Sequence, residues 1–225
     1  MSTRLETEAD LDAGLTWLIG ADSRLASLLS EAGRPALRRR PSGFAGLASI
    51  IVSQQLSTAS ASAIWTRLSA AVDPFEPAAV LRARPARLAR AGLSAPKIRA
   101  LKAIAKAIDK GTLNLSGLGD RPADDAHRML IGVHGIGPWT ADIYLLFCLG
   151  HADAWPAGDL ALQEAARLAF ALQARPNAKQ MQAIAEVWRP WRGVAASLLW
   201  TYYRAIKRRD PVPINPTARG EPNGR

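Results

Sequence analysis

The sequence predicts an all-α protein. Leucine and alanine dominate its 225 residues, and runs of β-branched residues are short. Apolar positions recur at the spacing of amphipathic helices, as in Leu11, Leu15 and Leu18. Glycine, proline and aspartate separate these segments, as is typical of helix ends and turns. A chain of this length can bury a sizeable core, as one large helical domain or as two small ones.

Six or more helices are predicted in the first half of the chain. Residues 8–32 form two amphipathic helices around Gly20-Ala21-Asp22, and we interpret them as scaffold. A basic connector from Arg38 to Gly43 precedes a helix that starts near Phe44 and is apolar enough to be buried. Further helices are predicted at about 58–72, at 76–90 in pieces, and at 95–110.

The second half follows the same pattern. A turn-rich link at 111–119 leads to a helix with Asp124 and Asp125 near its start, where carboxylates suit the positive end of the helix dipole. Asp159 occupies an N-cap position. The tail at 208–225, rich in proline and basic residues, is predicted to be disordered. The other predicted elements are helices at 139–149, 160–172, about 177–188 and 191–207, and a loop at 150–158.

Composition excludes several classes of protein. The single cysteine, Cys148, lies in an apolar run, so we expect core packing and exclude a disulfide framework or a multi-cysteine metal or iron–sulfur site. No stretch reaches the roughly 18 uninterrupted apolar residues of a membrane span. The N-terminus carries Glu6, Glu8 and Asp10, the reverse of a basic signal peptide. We therefore expect a cytoplasmic protein.

The net charge of +10 is distributed unevenly. Residues 81–110 hold nine Lys or Arg against one acid, whereas residues 121–171 hold three basic and six acidic residues. A basic surface beside an acidic centre indicates a polyanion held at the rim of a carboxylate-bearing pocket. The alternative is that the basic side chains, including Lys97, Arg99 and Lys102, only solvate a helix face.

The stretch from Ile131 to Ala141 predicts two helices joined by a very short hairpin. Gly135 and Gly137 allow positive φ and leave backbone N–H groups uncovered. Pro138 suits the first turn of a helix because its missing N–H would be unsatisfied there. The result is a helix N-terminus with bare amides, which is a ready site for a phosphate.

Two adjacent glutamines, Gln54 and Gln55, end the apolar helix that starts near Phe44. Each amide needs several hydrogen-bond partners, which makes both residues poor core residues. Such groups could fill the gap left by a base extruded from a duplex. The alternative is a polar helix end capped by Ser57.

Taken together, these residues resemble the helix-hairpin-helix DNA glycosylase superfamily, in particular its compact bacterial and yeast 3-methyladenine branch. The resemblance covers roughly residues 40–205. It rests on Ser53 to Ser57, on Gly135 to Ala141, on Phe147 to Asp159, and on Trp188 to Arg192.

The resemblance implies a helix-hairpin-helix glycosylase fold of two helical subdomains with the active-site cleft between them. Residues 1–207 would form a single unit. In that unit a subdomain at about 42–130 is inserted between the N-terminal helices and a hairpin-containing catalytic part at 131–207.

The implied activity is excision of alkylated purines from duplex DNA in base excision repair. The substrates would be 3-methyladenine and, as open possibilities, 7-methylguanine, hypoxanthine and ethenoadenine. Breaking an N-glycosidic bond passes through a cation-like sugar, so the site needs an anion near the anomeric carbon and a pocket for the flipped base. By the resemblance Asp159 is that anion, and it stabilises the sugar cation or orients the attacking water.

Tryptophans define the implied base pocket. Superfamily members that also cut the DNA backbone carry a lysine where this chain has Trp139, so no Schiff base can form there and lyase activity is not expected. The face of Trp139 would bind a cationic base with about 0.5–2 kcal/mol of cation–π attraction. The resemblance places Trp200 in the same pocket and leaves Trp155 and Phe44 open as further walls.

The implied partner is double-stranded DNA with alkylated bases, which the protein would bind as a monomer. No binding to a membrane is implied. Gln55, with Leu56 beside it, matches the wedge that fills the space left by the flipped nucleotide. No metal or other cofactor is implied by the side chains, although hairpin carbonyls could hold a monovalent cation. Ile143 stands where some relatives place an aromatic pocket residue, so the lesion range stays open. Contacts to the DNA backbone are assigned to Gly135, Gly137, His134 and Thr140.

Two other functions are weighed against this one. A different glycosylase of the superfamily would act on another damaged base, which the absence of cluster cysteines and of the lysine disfavours. A non-catalytic DNA-binding protein would keep the hairpin without the chemistry, which Asp159 in its motif context disfavours.

Overall fold

A computed structural model describes residues 3–209, and within that range the regular elements are twelve α-helices and two short 3₁₀ helices. The all-α prediction is therefore confirmed. Most of the tail predicted to be disordered lies outside the described residues. The first seven helices are α1 (Glu8–Ala21), α2 (Arg24–Ala32), α3 (Gly43–Ser53), α4 (Thr58–Ala71), α5 (Pro77–Arg82), α6 (Pro85–Arg90) and α7 (Ala95–Asp109). The others are α8 (Ala123–Ile131), α9 (Pro138–Phe147), α10 (Leu160–Ala169), α11 (Ala178–Ala185) and α12 (Arg192–Arg209).

Local capping signals set most of the helix starts. The Thr7 hydroxyl accepts a hydrogen bond from the Asp10 amide and opens α1, and Ser57 does the same for α4 through the Ser60 amide. Proline occupies the first turn of α5, α6, α7 and α9. The helix predicted at 160–172 ends earlier, at Ala169, and Ala171 adopts a left-handed φ of 49°.

One apolar core connects the helices. Trp188 and Tyr144 are fully buried, and the Trp188 indole N–H donates to Asp22 at 3.0 Å. Cys148 is buried as predicted, and this burial raises the pKa of its thiol to about 11. At neutral pH the thiol is therefore protonated and serves as a small apolar side chain.

Helix α3 packs against three other helices, including the helix that follows the hairpin. Helix α5 packs on α7, and α2 and α10 pack on α12, while α3 contacts α4, α7 and α9. The C-terminal end of α3 thus meets the hairpin between α8 and α9. Over residues 3–209, no helix combines the length and apolar character needed to cross a membrane.

Candidate functional site

The tight hairpin between α8 and α9 contains two glycines with different roles. Gly135 has a φ of 93°, and a Cβ there would lie 2.5 Å from the Cβ of Ala100 on α7. Only glycine fits both demands. Gly137 caps α9 in an extended conformation with a φ of −84°, so of the two glycines Gly135 is the one that adopts the positive φ that both allow. A Cβ on Gly137 would meet nothing within 4 Å, so this end of the hairpin is open.

A side-chain bond joins the two hairpin helices. Nδ1 of His127 on α8 lies 2.8 Å from Oδ1 of Asp142 on α9. Burial raises the pKa of the Asp142 carboxyl, and the bond to that carboxylate raises the pKa of His127. Sequence reasoning missed this pair because the side chains belong to different helices.

A cavity of about 760 Å³ opens where three segments meet: the end of α3, the hairpin and the start of α10. This is the place at which most of the predicted site residues come together. Within residues 3–209, no three His, Cys, Asp or Glu side chains cluster as a metal site would require. The cavity is lined by Gln54, Gln55, Gly135, Ile136, Gly137, Pro138, Trp139, Thr140, Gly158, Asp159, Leu160 and Ala161.

Asp159 lies at the edge of this cavity and accepts three N–H groups. Its Oδ1 accepts from the Leu162 amide at 2.8 Å, which caps α10, and from the Trp200 indole at 3.1 Å. Its Oδ2 accepts from the Trp139 indole at 2.7 Å. The side chain is therefore both a helix cap, as predicted, and a carboxylate fixed in one orientation. Such a group can stabilise a nearby cation or orient a water.

Trp139 and Trp200 each donate an indole N–H to Asp159, which is a contribution other than ring stacking. Trp139 is half-buried and lines the cavity, with its indole N–H turned to Asp159. Trp200 lies behind Asp159, and its ring stacks on Phe147 with 5.8 Å between ring centroids. It is not among the residues that line the cavity, so the prediction that it forms a wall of the base pocket is corrected: Trp200 contacts the site through its indole N–H. The sequence indicated that the two tryptophans belong to the site. The direction of their N–H groups is set by tertiary packing, which the sequence does not show.

Trp155 and Phe44 need correction as candidate pocket walls. Trp155 is 2% exposed, and its indole N–H donates to the Met181 carbonyl at 3.2 Å. Phe44 is buried and stacks on Phe75 with 5.5 Å between centroids. Both rings are occupied by core contacts and lie away from the lining of the cavity, so we exclude them from the base pocket.

The two glutamines separate into an anchored one and an exposed one. Gln54 donates its side-chain N–H to the Thr140 hydroxyl at 2.7 Å. Gln55 is exposed, with a left-handed φ of 57°, and Leu56 beside it is 39% exposed. Ser57 caps the following helix rather than α3. The turn thus projects Gln55 and Leu56 from the protein at the cavity mouth.

Two predicted contacts to the DNA backbone lie in different surroundings. Thr140 is 2% exposed and its hydroxyl is bonded to Gln54, so the prediction that it contacts a phosphate is corrected. His134 is exposed and lines a separate open groove of about 490 Å³ with Lys106, Lys110 and Arg128. A phosphate near His134 would therefore meet several cations.

The basic face of α7 is smaller than the sequence suggested. Lys97 donates to the Val52 and Gln54 carbonyls, both at 2.8 Å, and Lys102 donates to two carbonyls at the end of α5. Arg99 remains exposed. Both lysine ammonium groups are bonded to carbonyls at helix ends. They therefore do not merely solvate α7, and they are not available to bind a polyanion.

Comparison with known proteins gives one family. Residues 48–190 match the HhH-GPD superfamily of base excision DNA repair proteins. YfjP of Bacillus subtilis is 38% identical over 41% of this chain, and the match spans only 32% of that protein. DNA-3-methyladenine glycosylase 1 of Schizosaccharomyces pombe is 30% identical over 72% of this chain and 73% of its own length.

Solved structures agree over most of the chain. A DNA-3-methyladenine glycosidase from Bacillus halodurans superposes with a TM-score of 0.77 at 28% identity, covering 92% of this chain and 94% of that one. The S. pombe 3-methyladenine DNA glycosylase Mag1, solved in complex with abasic DNA, gives a TM-score of 0.74 at 27% identity, covering 84% and 95%.

Proposed function

Because the chain belongs to the HhH-GPD superfamily of base excision DNA repair proteins, we propose that it is a monofunctional DNA glycosylase for alkylated purines. It flips the damaged base, 3-methyladenine foremost, out of duplex DNA and hydrolyses its N-glycosidic bond. The names of its relatives support this substrate class. Such a substrate implies action where chromosomal DNA lies, which in a bacterium is the cytoplasmic nucleoid.

The observation that carries the proposal is Asp159 at the cavity edge, held by the indole N–H groups of Trp139 and Trp200. When the bond between sugar and base breaks, the base leaves with the bonding electrons and positive charge develops on the sugar. A carboxylate already oriented at that point stabilises the charge without reorganisation. A water then adds to the anomeric carbon and gives up a proton, which completes hydrolysis.

The surroundings of Asp159 supply the other parts of the reaction. Trp139 lines the cavity and offers its ring to a cationic base. Gln55 and Leu56 project at the mouth and would occupy the space that the flipped nucleotide leaves in the duplex. Gly135 and Gly137 are exposed, and their backbone amides would hold the DNA backbone as a monomer binds, without reading sequence.

A base-release assay tests the function. The purified protein is expected to release 3-methyladenine from alkylated duplex DNA, and the free base is measured by chromatography. Oligonucleotides with 7-methylguanine, hypoxanthine or ethenoadenine give the lesion range. If DNA is bound but none of the four bases is released, the protein is a binding module or acts on a different base, and the proposal fails.

The absence of lyase activity is a separate prediction. With Trp139 where a nucleophilic lysine would stand, borohydride is expected to trap no covalent enzyme–DNA adduct while base release proceeds. The product is an intact strand with an abasic site, detected by its cleavage in hot alkali only. Trapping at the level of a bifunctional glycosylase run in parallel would contradict the monofunctional assignment.

A further inference from the structure

The turn that projects Gln55 and Leu56 is tied to the protein on one side by Lys97. Lys97 is the third residue of α7, and its ammonium donates to the Val52 and Gln54 carbonyls at 2.8 Å each. These carbonyls belong to the last turn of α3, where a helix lacks internal partners and carries partial negative charge. Burial lowers the pKa of Lys97, as expected for a side chain drawn in from solvent.

A second bond ties the same turn to α9. The side-chain N–H of Gln54 donates to the hydroxyl of Thr140 on α9, at 2.7 Å. Gln54 is thus bonded through its main chain to α7 and through its side chain to the hairpin helix. The next residue, Gln55, adopts a left-handed φ of 57°. A non-glycine residue stays in that region only when its surroundings fix it.

We propose that Lys97 is a positioning residue for base extrusion: its bonds to the Val52 and Gln54 carbonyls, with the Gln54–Thr140 bond, hold Gln55 and Leu56 where they fill the gap in the duplex. The inference rests on the wedge role given to Gln55 in the proposed function. Lys97 acts through the turn and does not touch the base or the reacting bond.

The same helix contains a matched control. Lys102 lies five residues further along α7 and donates to the Leu81 and Ala83 carbonyls at 3.0 and 2.8 Å. It therefore ties the end of α5 as Lys97 ties the end of α3, but none of its partners lines the cavity. Loss of either lysine removes the same kind of bond, and only loss of Lys97 loosens the wedge.

The experiment compares single-turnover release of one lesion in two contexts: paired in a duplex, and placed as a one-nucleotide bulge that is already unpaired. Lys97→Met is expected to lower the duplex rate about tenfold or more and the bulge rate less than about twofold, because only the paired lesion needs a filled gap. Lys102→Met is expected to change neither rate by more than about twofold. Lys97→Arg, which keeps a charged donor, is expected to recover part of the duplex rate.

A double variant shows whether Lys97 acts through Gln55. Gln55→Ala is expected to lower the ratio of duplex to bulge rates, and adding Lys97→Met to it is expected to change that ratio little. Should Lys97→Met fail to fold, as judged by circular dichroism, Thr140→Val breaks the other tie and carries the same expectation. Equal losses in both contexts, or equal effects of the two lysine variants, overturn the role of Lys97.

The two proposals fail in different ways. An unchanged ratio in Gln55→Ala overturns the wedge assignment and with it the role of Lys97. A lowered ratio in Gln55→Ala with an unchanged ratio in Lys97→Met overturns the role of Lys97 alone. Base release by the unmodified protein stays the test of the glycosylase function in either case.

Discussion

Asp159→Asn is expected to lower single-turnover release of 3-methyladenine by about 10²–10⁴-fold, the range for loss of a charged catalytic group. The asparagine amide has nearly the same shape and is itself a good N-cap, so it can still accept the Leu162 amide that now bonds to Oδ1. What it lacks is the negative charge opposite the developing sugar cation. Its NH₂ group would also face the Trp139 indole N–H, a donor facing a donor.

Two measurements separate this loss from misfolding or weak binding. The variant is expected to bind an abasic duplex within about threefold of the unmodified protein, measured by fluorescence anisotropy. The control is Glu164→Gln on the same helix, whose carboxylate pairs with Arg167 near the surface, and its release rate should stay within about twofold. Unchanged release in Asp159→Asn would remove Asp159 from the chemistry.

The helices and the capping role of Asp159 were predictable because their signals are local. A proline in the first turn or a capping side chain lies within a few residues of the helix start that it specifies, as for Pro138 and Ser57. Such signals act through hydrogen bonds to neighbouring residues and need no distant partner. The hairpin was predictable for the same reason, because Gly135 and Pro138 lie at the turn that they specify.

The surroundings of the site depended on contacts that no local pattern contains. Trp155 and Trp200 look alike in sequence, yet one indole bonds to a core carbonyl and the other to Asp159 across 41 residues. Gln54 and Gln55 are identical neighbours in the sequence, and the bond of Gln54 to Thr140 and the left-handed φ of Gln55 distinguish them in the structure. The helical periodicity of α7 marks Lys97 as polar but does not show that its ammonium reaches another helix end.

The largest effect on stability is expected from Arg192→Met. Arg192 is buried at the start of α12, and its guanidinium bonds to both carboxylate oxygens and the carbonyl of Asp153 and to the Asp124 carboxylate on α8. Methionine keeps the length of the stem but leaves a half-buried acid with fewer donors. Breaking a buried pair costs about 3–5 kcal/mol when its partner is left uncompensated. Because Arg189 still pairs with Asp153 and Asp124, we expect the lower end of that range, about 3 kcal/mol, which at this chain length lowers Tm by roughly 6–12 °C in calorimetry.

An exposed arginine with the same number of acidic partners tests whether burial sets this cost. Arg34 pairs with Glu8 and Asp12 at 2.6 Å each, and its side chain is 40% exposed against 3% for Arg192. Arg34→Met should therefore lower Tm much less than Arg192→Met, because water solvates both exposed acids once the arginine is gone. Equal shifts in Tm for the two variants would contradict the argument. A larger shift for Arg192→Met would support the interpretation that the ion pairs of Arg192 hold the loop that leads from Asp153 to Asp159.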